Sequence, residues 1–119
     1  MQVKRAMVSF LLAAWVAGAV WAQQLSTTPV PRDENWVKRV ERDAAKAKQG
    51  GWEVVFVGDS ITDFWQNRGK AEWDKYFGQY KALNLGISAD RTEHVLWRLD
   101  HGQLENNQPK LFVVMIGTN

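Results

Sequence analysis

Ser60 follows a run built to stop abruptly. Val54-Val55-Phe56-Val57 is wholly apolar, three of its residues are β-branched, and it ends in Gly58-Asp59-Ser60. That pattern reads as a buried strand that delivers a hydroxyl at its carboxyl end. A serine hydroxyl attacks an acyl carbon once a base takes its proton. The tetrahedral intermediate then carries an oxyanion that needs preorganised donors. Two other strand-like runs end in groups suited to that task. Lys81–Leu85 leads into Gly86-Ile87-Ser88, and Lys110–Ile116 leads into Gly117-Thr118-Asn119. Glycine has no Cβ, so Gly86 lets a backbone N–H approach closely, and Asn119 offers a side-chain amide. The Ser60 N–H, the Gly86 N–H and the Asn119 side chain are therefore expected to form a three-donor hole. Losing one such donor typically costs about 3–4 kcal/mol of transition-state stabilisation.

The neighbouring polar residues read as structural. Asp59 and Asp63 suit turn and cap hydrogen bonds around the serine, and Asp90 with Glu93 suits a capping box. His94 and His101 fall on or at the end of one helix, which carries them away from the strand ends, so neither is expected to be the base. Nor do they have the spacing of a metal site. Arg91 and Arg98 read as solvated helix charges. Trp36 reads as an anchor for its helix. Phe64, Trp65, Trp73, Tyr76, Phe77 and Tyr80 crowd the stretch after Ser60. They read as core and crevice wall, although aromatic linings also suit sugar and acyl pockets.

The elements that must position these groups alternate. A helix is expected from Asp33, with acidic and capping residues at its start, Trp36, Val37, Val40, Ala44 and Ala47 on one face, and Gly50-Gly51 as its stop. The strand Val54–Val57 follows, then a short helix over Arg68–Phe77 ended by Gly78. Next come the strand Lys81–Leu85 and a helix from Arg91 to about His101, with Val95, Leu96 and Leu99 toward the sheet. The loop Glu105–Pro109 leads into the apolar strand Lys110–Ile116. Continuous apolar strands alternating with helices imply an α/β fold with a parallel sheet covered on both faces. All strands of such a sheet finish on one edge, where ligands bind.

Composition narrows the classes. The 119 residues allow at most one domain. Residues 1–22 have a charged start, Lys4-Arg5, then an almost wholly apolar stretch to Ala22. That is the layout of a secretory signal peptide cleaved after Ala22, followed by a polar, proline-bearing linker over residues 23–32. The expected location is periplasmic or extracellular, with no stable membrane anchor after cleavage. The chain has 15 basic and 13 acidic residues, and loss of Lys4 and Arg5 would leave 13 of each. No basic stripe remains, so nucleic acid is not an expected partner. There are no cysteines, so the core must carry stability without disulfides. Neither a GxGxxG nor a Walker lysine occurs, and no cofactor is expected.

Three blocks in order, Gly58–Thr62 (GDSIT), Asn84–Ser88 (NLGIS) and Ile116–Asn119 (IGTN), resemble the SGNH/GDSL hydrolase family. The stretch GISADRTEHVLWRL from Gly86 is similar to the branch of platelet-activating-factor acetylhydrolase catalytic subunits. The resemblance covers roughly Trp36–Asn119. It implies a flavodoxin-like three-layer α/β/α fold with strand order 2-1-3-4-5. It also implies Ser60 as nucleophile, with Gly86 and Asn119 as oxyanion donors beside the Ser60 amide. Ile61 stands where the family's name motif has leucine. The family's Asp-x-x-His block, which supplies the base and its carboxylate, does not occur here.

The expectation is thus that residues 33–119 are the N-terminal portion of such a domain, with three of its strands, and inactive alone. The whole would be a secreted serine esterase acting on small acyl, chiefly acetyl, esters of small molecules or carbohydrates. A non-catalytic carbohydrate-binding or interaction module on the same fold is the alternative.

Overall fold

The middle strand of the sheet is the one that precedes Ser60. In a computed structural model, which describes residues 25–119, strand β1 (Val54–Gly58) pairs in parallel with β2 (Ala82–Gly86) on one side and β3 (Leu111–Met115) on the other. The order β2-β1-β3 matches the first three strands of the implied topology. The expected signal peptide, residues 1–22, and the first two linker residues lie outside the described residues.

Among the described residues four α-helices and one 3-10 turn accompany the strands. Helix α1 (Glu34–Ala47) starts where Asp33 accepts the Trp36 N–H at 3.1 Å, and it ends before Gly50 and Gly51, whose φ values are +70° and +73°. Helix α2 (Ser60–Asp63) begins directly after β1, and a 3-10 turn (Phe64–Gln66) follows. Helix α3 (Lys70–Phe77) ends at Gly78, and α4 (Thr92–Asp100) joins β2 to β3.

The two sheet faces differ. Val55, Val57, Leu83 and Leu85 point to one side and pack with Ala47 of α1 and Val95 of α4. Phe56 points to the other, edge-on to Trp73 at 4.9 Å and Phe77 at 5.0 Å. The result is three layers, helices on both faces of a parallel sheet. Edge-to-face aromatic pairs contribute about 0.5–1.5 kcal/mol beyond their burial, which helps α3 hold the second face.

Several expectations are corrected. Leu96 and Leu99 are exposed, and α4 instead buries Glu93, His94, Val95 and Arg98. Arg98 is fully buried rather than solvated, because carbonyls and a carboxylate inside the fold satisfy it. Asp90 caps nothing. The Arg91 N–H is accepted by His94 Nδ1 at 2.9 Å, so histidine closes the first turn of α4. β3 is apolar as expected, yet Leu111, Phe112, Val114 and Met115 are all exposed, because the described helices pack over β1 and β2 and leave β3 uncovered.

Candidate active site

Parallel register sets the strand ends side by side. Gly58 pairs with Gly86 and with Met115, so Asp59-Ser60, Ile87-Ser88-Ala89 and Ile116–Asn119 leave the sheet along one edge. The ladder runs one step further, with the Ile87 N–H donating to Gly58 O at 3.1 Å.

Ser60 is the first residue of α2 and is half-buried. Its turn is fixed by Asp59, which is fully buried and accepts the Ile61 N–H on Oδ1 at 3.0 Å. The Ser60 hydroxyl makes no hydrogen bond among the described residues, so nothing in them competes for it.

Hydrogen bonds lock α2 onto β2 and the loop that follows it. Asn84 Nδ2 donates to Thr62 O at 2.7 Å, and Asn84 Oδ1 accepts the Gly86 N–H at 2.8 Å. Asp63 Oδ2 accepts both the Ser88 N–H at 3.1 Å and the Ser88 hydroxyl at 2.7 Å. Asp63 Oδ1 receives Arg39 Nη2 at 3.2 Å, which ties in α1. Burial alone would lower the Arg39 pKa, but Asp43 and Asp63 outweigh it and hold the guanidinium above its ordinary value.

These bonds change the reading of Gly86. Its N–H is committed to Asn84 and is not the free oxyanion donor expected of it. The glycine is required by packing. A Cβ there would lie 2.7 Å from the carbonyl carbon of Thr62 and closer still to the Asp63 nitrogen. β2 can approach the serine helix only because that Cβ is absent.

The loop beyond Gly86 holds an unengaged amide. Ala89 has φ +64°, a left-handed conformation uncommon for a residue with a side chain. It is exposed, and its N–H has no partner among the described residues. Nothing in the composition of GISAD separated Ala89 from Gly86; only the backbone angle does.

Asn119 bridges the segments that carry the serine and this loop. Its Nδ2 donates to Asp90 O at 2.8 Å and, with long geometry, to Asp59 Oδ2 at 3.4 Å. The neighbours of Ala89 and Ser60 are thus joined through one side chain.

Beneath them lies a buried polar cluster. Asp90 Oδ1 accepts Trp36 Nε1 at 2.7 Å and Arg32 Nη1 at 3.2 Å, and Asp90 Oδ2 is 2.9 Å from Arg98 Nη2. Asp90 and Arg98 are both fully buried. Burial draws the Arg98 guanidinium below its ordinary value, with Asp90 opposing the shift. The signal for Arg98 in the sequence was its position three residues after Val95, on the same helical face.

Both histidines are engaged in α4. His94 closes its first turn, and burial lowers its pKa. His101 stacks on Trp97 at 3.8 Å. Among the described residues no group of three or more His, Asp or Glu could hold a metal ion, and no helix is long and apolar enough to cross a membrane.

Residues 56–119 match the GDSL-like lipase/acylhydrolase family. The chain belongs to that family. The match takes in Ser60, Gly86, Ala89 and Asn119. The chain is also similar to human platelet-activating factor acetylhydrolase IB subunit alpha2, 42% identical over 87 residues, which are 73% of this chain and 37% of that protein. The mouse alpha1 subunit is 43% identical over 91 residues, 76% of this chain and 38% of that protein. The chain therefore spans well under half the length of the curated relatives it matches.

Proposed function

We propose that this chain carries the nucleophile and oxyanion donors of a serine ester hydrolase. The observation behind the proposal is the meeting of three strand ends at an unengaged serine in a chain of the GDSL-like lipase/acylhydrolase family. Ser60 Oγ attacks the acyl carbon as its proton passes to a general base, the tetrahedral intermediate expels the alcohol, which takes that proton, and water then hydrolyses the acyl-enzyme that remains. The Ser60 N–H, the Ala89 N–H and Asn119 Nδ2 receive the oxyanion. Asn119 Nδ2 keeps its short bond to Asp90 O, and its other N–H, held by the long contact to Asp59, is the one an oxyanion would compete for. With both described histidines engaged in α4, residues 25–119 hold the nucleophile and donors without the base.

The proposed substrate is a small acyl ester, acetyl first, because the relatives named above are acetylhydrolase subunits. A carbohydrate carrier is the finer part of the proposal. It rests on the leader-like residues 1–22, which suit export, and on the aromatic stretch after Ser60. In the full-length protein, Ser60→Ala should abolish p-nitrophenyl acetate hydrolysis while leaving the unfolding midpoint unchanged. Retained turnover would refute the assignment. A panel of acetylated sugars and acetylated lipids then separates the two carriers.

A further inference from the structure

We propose that Arg98 is the positioning residue that fixes the three oxyanion donors relative to one another. The proposal rests on the serine-hydrolase reading above. Arg98 sits on α4 with no exposed surface. Its Nη1 donates to Leu85 O at 2.7 Å and to Gln103 Oε1 at 2.8 Å. Its Nη2 donates to Gly58 O at 3.2 Å and pairs with Asp90 Oδ2 at 2.9 Å. Only its Nε lacks a partner.

Each target belongs to a segment that carries a donor or braces one. Gly58 is two residues before Ser60. Leu85 is the penultimate residue of β2, before the Ala89 loop. Asp90 follows Ala89, and its carbonyl oxygen holds Asn119. Gln103 lies after α4 and steadies the guanidinium from behind. One planar group thus spans the end of β1, the end of β2 and the loop. A guanidinium presents its donors in a rigid fork, which a flexible point charge does not reproduce.

Stability alone does not call for such a group. Burying an ion pair costs several kcal/mol of desolvation per ion, and apolar replacements are often equally stable. Positioning does call for it, because a misplacement of about 1 Å can cost on the order of 10²-fold in rate.

The test is Arg98→Lys in the full-length protein, beside the parent and Ser60→Ala. It uses urea unfolding, titration of competent serines with a fluorophosphonate, and kcat and KM on p-nitrophenyl acetate. Lysine keeps the charge for Asp90 and loses the fork. The expected result is a kcat per titrated serine lower by roughly 10- to 100-fold, with KM within about threefold of the parent. A kcat per titrated serine within about twofold of the parent overturns the proposal, because it would show a purely structural role. Should the lysine variant fail to fold, Gln103→Leu removes one brace of the guanidinium. A fall in kcat without a change in KM then supports the proposal, and parental kcat overturns it. Loss of folded protein in both variants assigns Arg98 to stability alone and overturns it as well. Failure of the underlying reading looks different: the parent does not hydrolyse the ester, or Ser60→Ala does so equally well.

Discussion

Trp36 Nε1 donates to Asp90 Oδ1 at 2.7 Å, which joins the first helix to the loop behind Ala89. The indole is buried between His94 and Trp97. Trp36→Phe keeps most of the packing and removes the donor. Hydrogen bonds to charged groups contribute about 1.5–3 kcal/mol, so the unfolding free energy should fall by that amount, read as a lower urea midpoint with an unchanged m-value. An unaltered midpoint would show that Arg32 and Arg98 already satisfy Asp90.

Asp90→Asn should be more costly. It leaves the fully buried Arg98 without its counter-charge, and breaking one partner of a buried pair costs about 3–5 kcal/mol. Denaturant unfolding of the single variants and of Asp90→Asn/Arg98→Met would measure the coupling. Additive losses would contradict a paired role.

Gly86 and Ala89 should respond in opposite ways. Gly86→Ala drives a Cβ into the backbone of α2. It should cost about 1–3 kcal/mol and depress ester hydrolysis, since α2 begins with Ser60. Ala89→Gly relieves a left-handed residue and should raise stability by about 1 kcal/mol, with hydrolysis retained because the amide is kept. Loss of hydrolysis in a stable Ala89→Gly variant would show that the methyl group, and not the amide alone, is needed for turnover.

His94 makes stability depend on pH. Burial holds its imidazole below the ordinary 6.5, with Asp90 and Glu93 pulling it partly back and Arg91 and Arg32 pushing it down. The folded state therefore prefers the neutral ring, which accepts the Arg91 N–H. Below pH 6.5 the unfolded chain binds more protons. This group's contribution is complete above that value and is lost as pH falls through the lower folded pKa. Urea midpoints should drop as the pH falls below about 6.5, and His94→Gln should flatten that drop. Identical slopes in both proteins would rule His94 out as the cause.

The sheet could be read from the sequence because its signals are local. Apolar runs followed by glycine, Val54–Val57 the clearest, sufficed for three strands, and their order came with the family resemblance. The strand ends were legible, and Ser60 and Asn119 lie beyond two of them. The rest depended on contacts between distant residues. Arg98 looked like a surface charge because its four partners come from β1, β2, the Asp90 loop and Gln103. Asp90 looked like a cap because its partners, Trp36 and Arg98, stand 54 residues before it and on the next helix. Gly86 looked like a donor because glycine serves close approach of any kind. Here the approach is by the Thr62–Asp63 backbone.

The central strand is also the earliest in the chain, and that has a bearing on biosynthesis. β1 leaves the ribosome before either neighbour exists, and its pairing with Ala82–Gly86 must wait for 28 further residues, the offset between Val54 and Ala82. At typical elongation rates that is roughly one to six seconds with both edges of VVFVG unpaired. The pairing with Leu111–Met115 comes later still. The nascent strand that delivers Ser60 is thus the segment of this sheet with the longest wait for its partners and the most reason to need a chaperone.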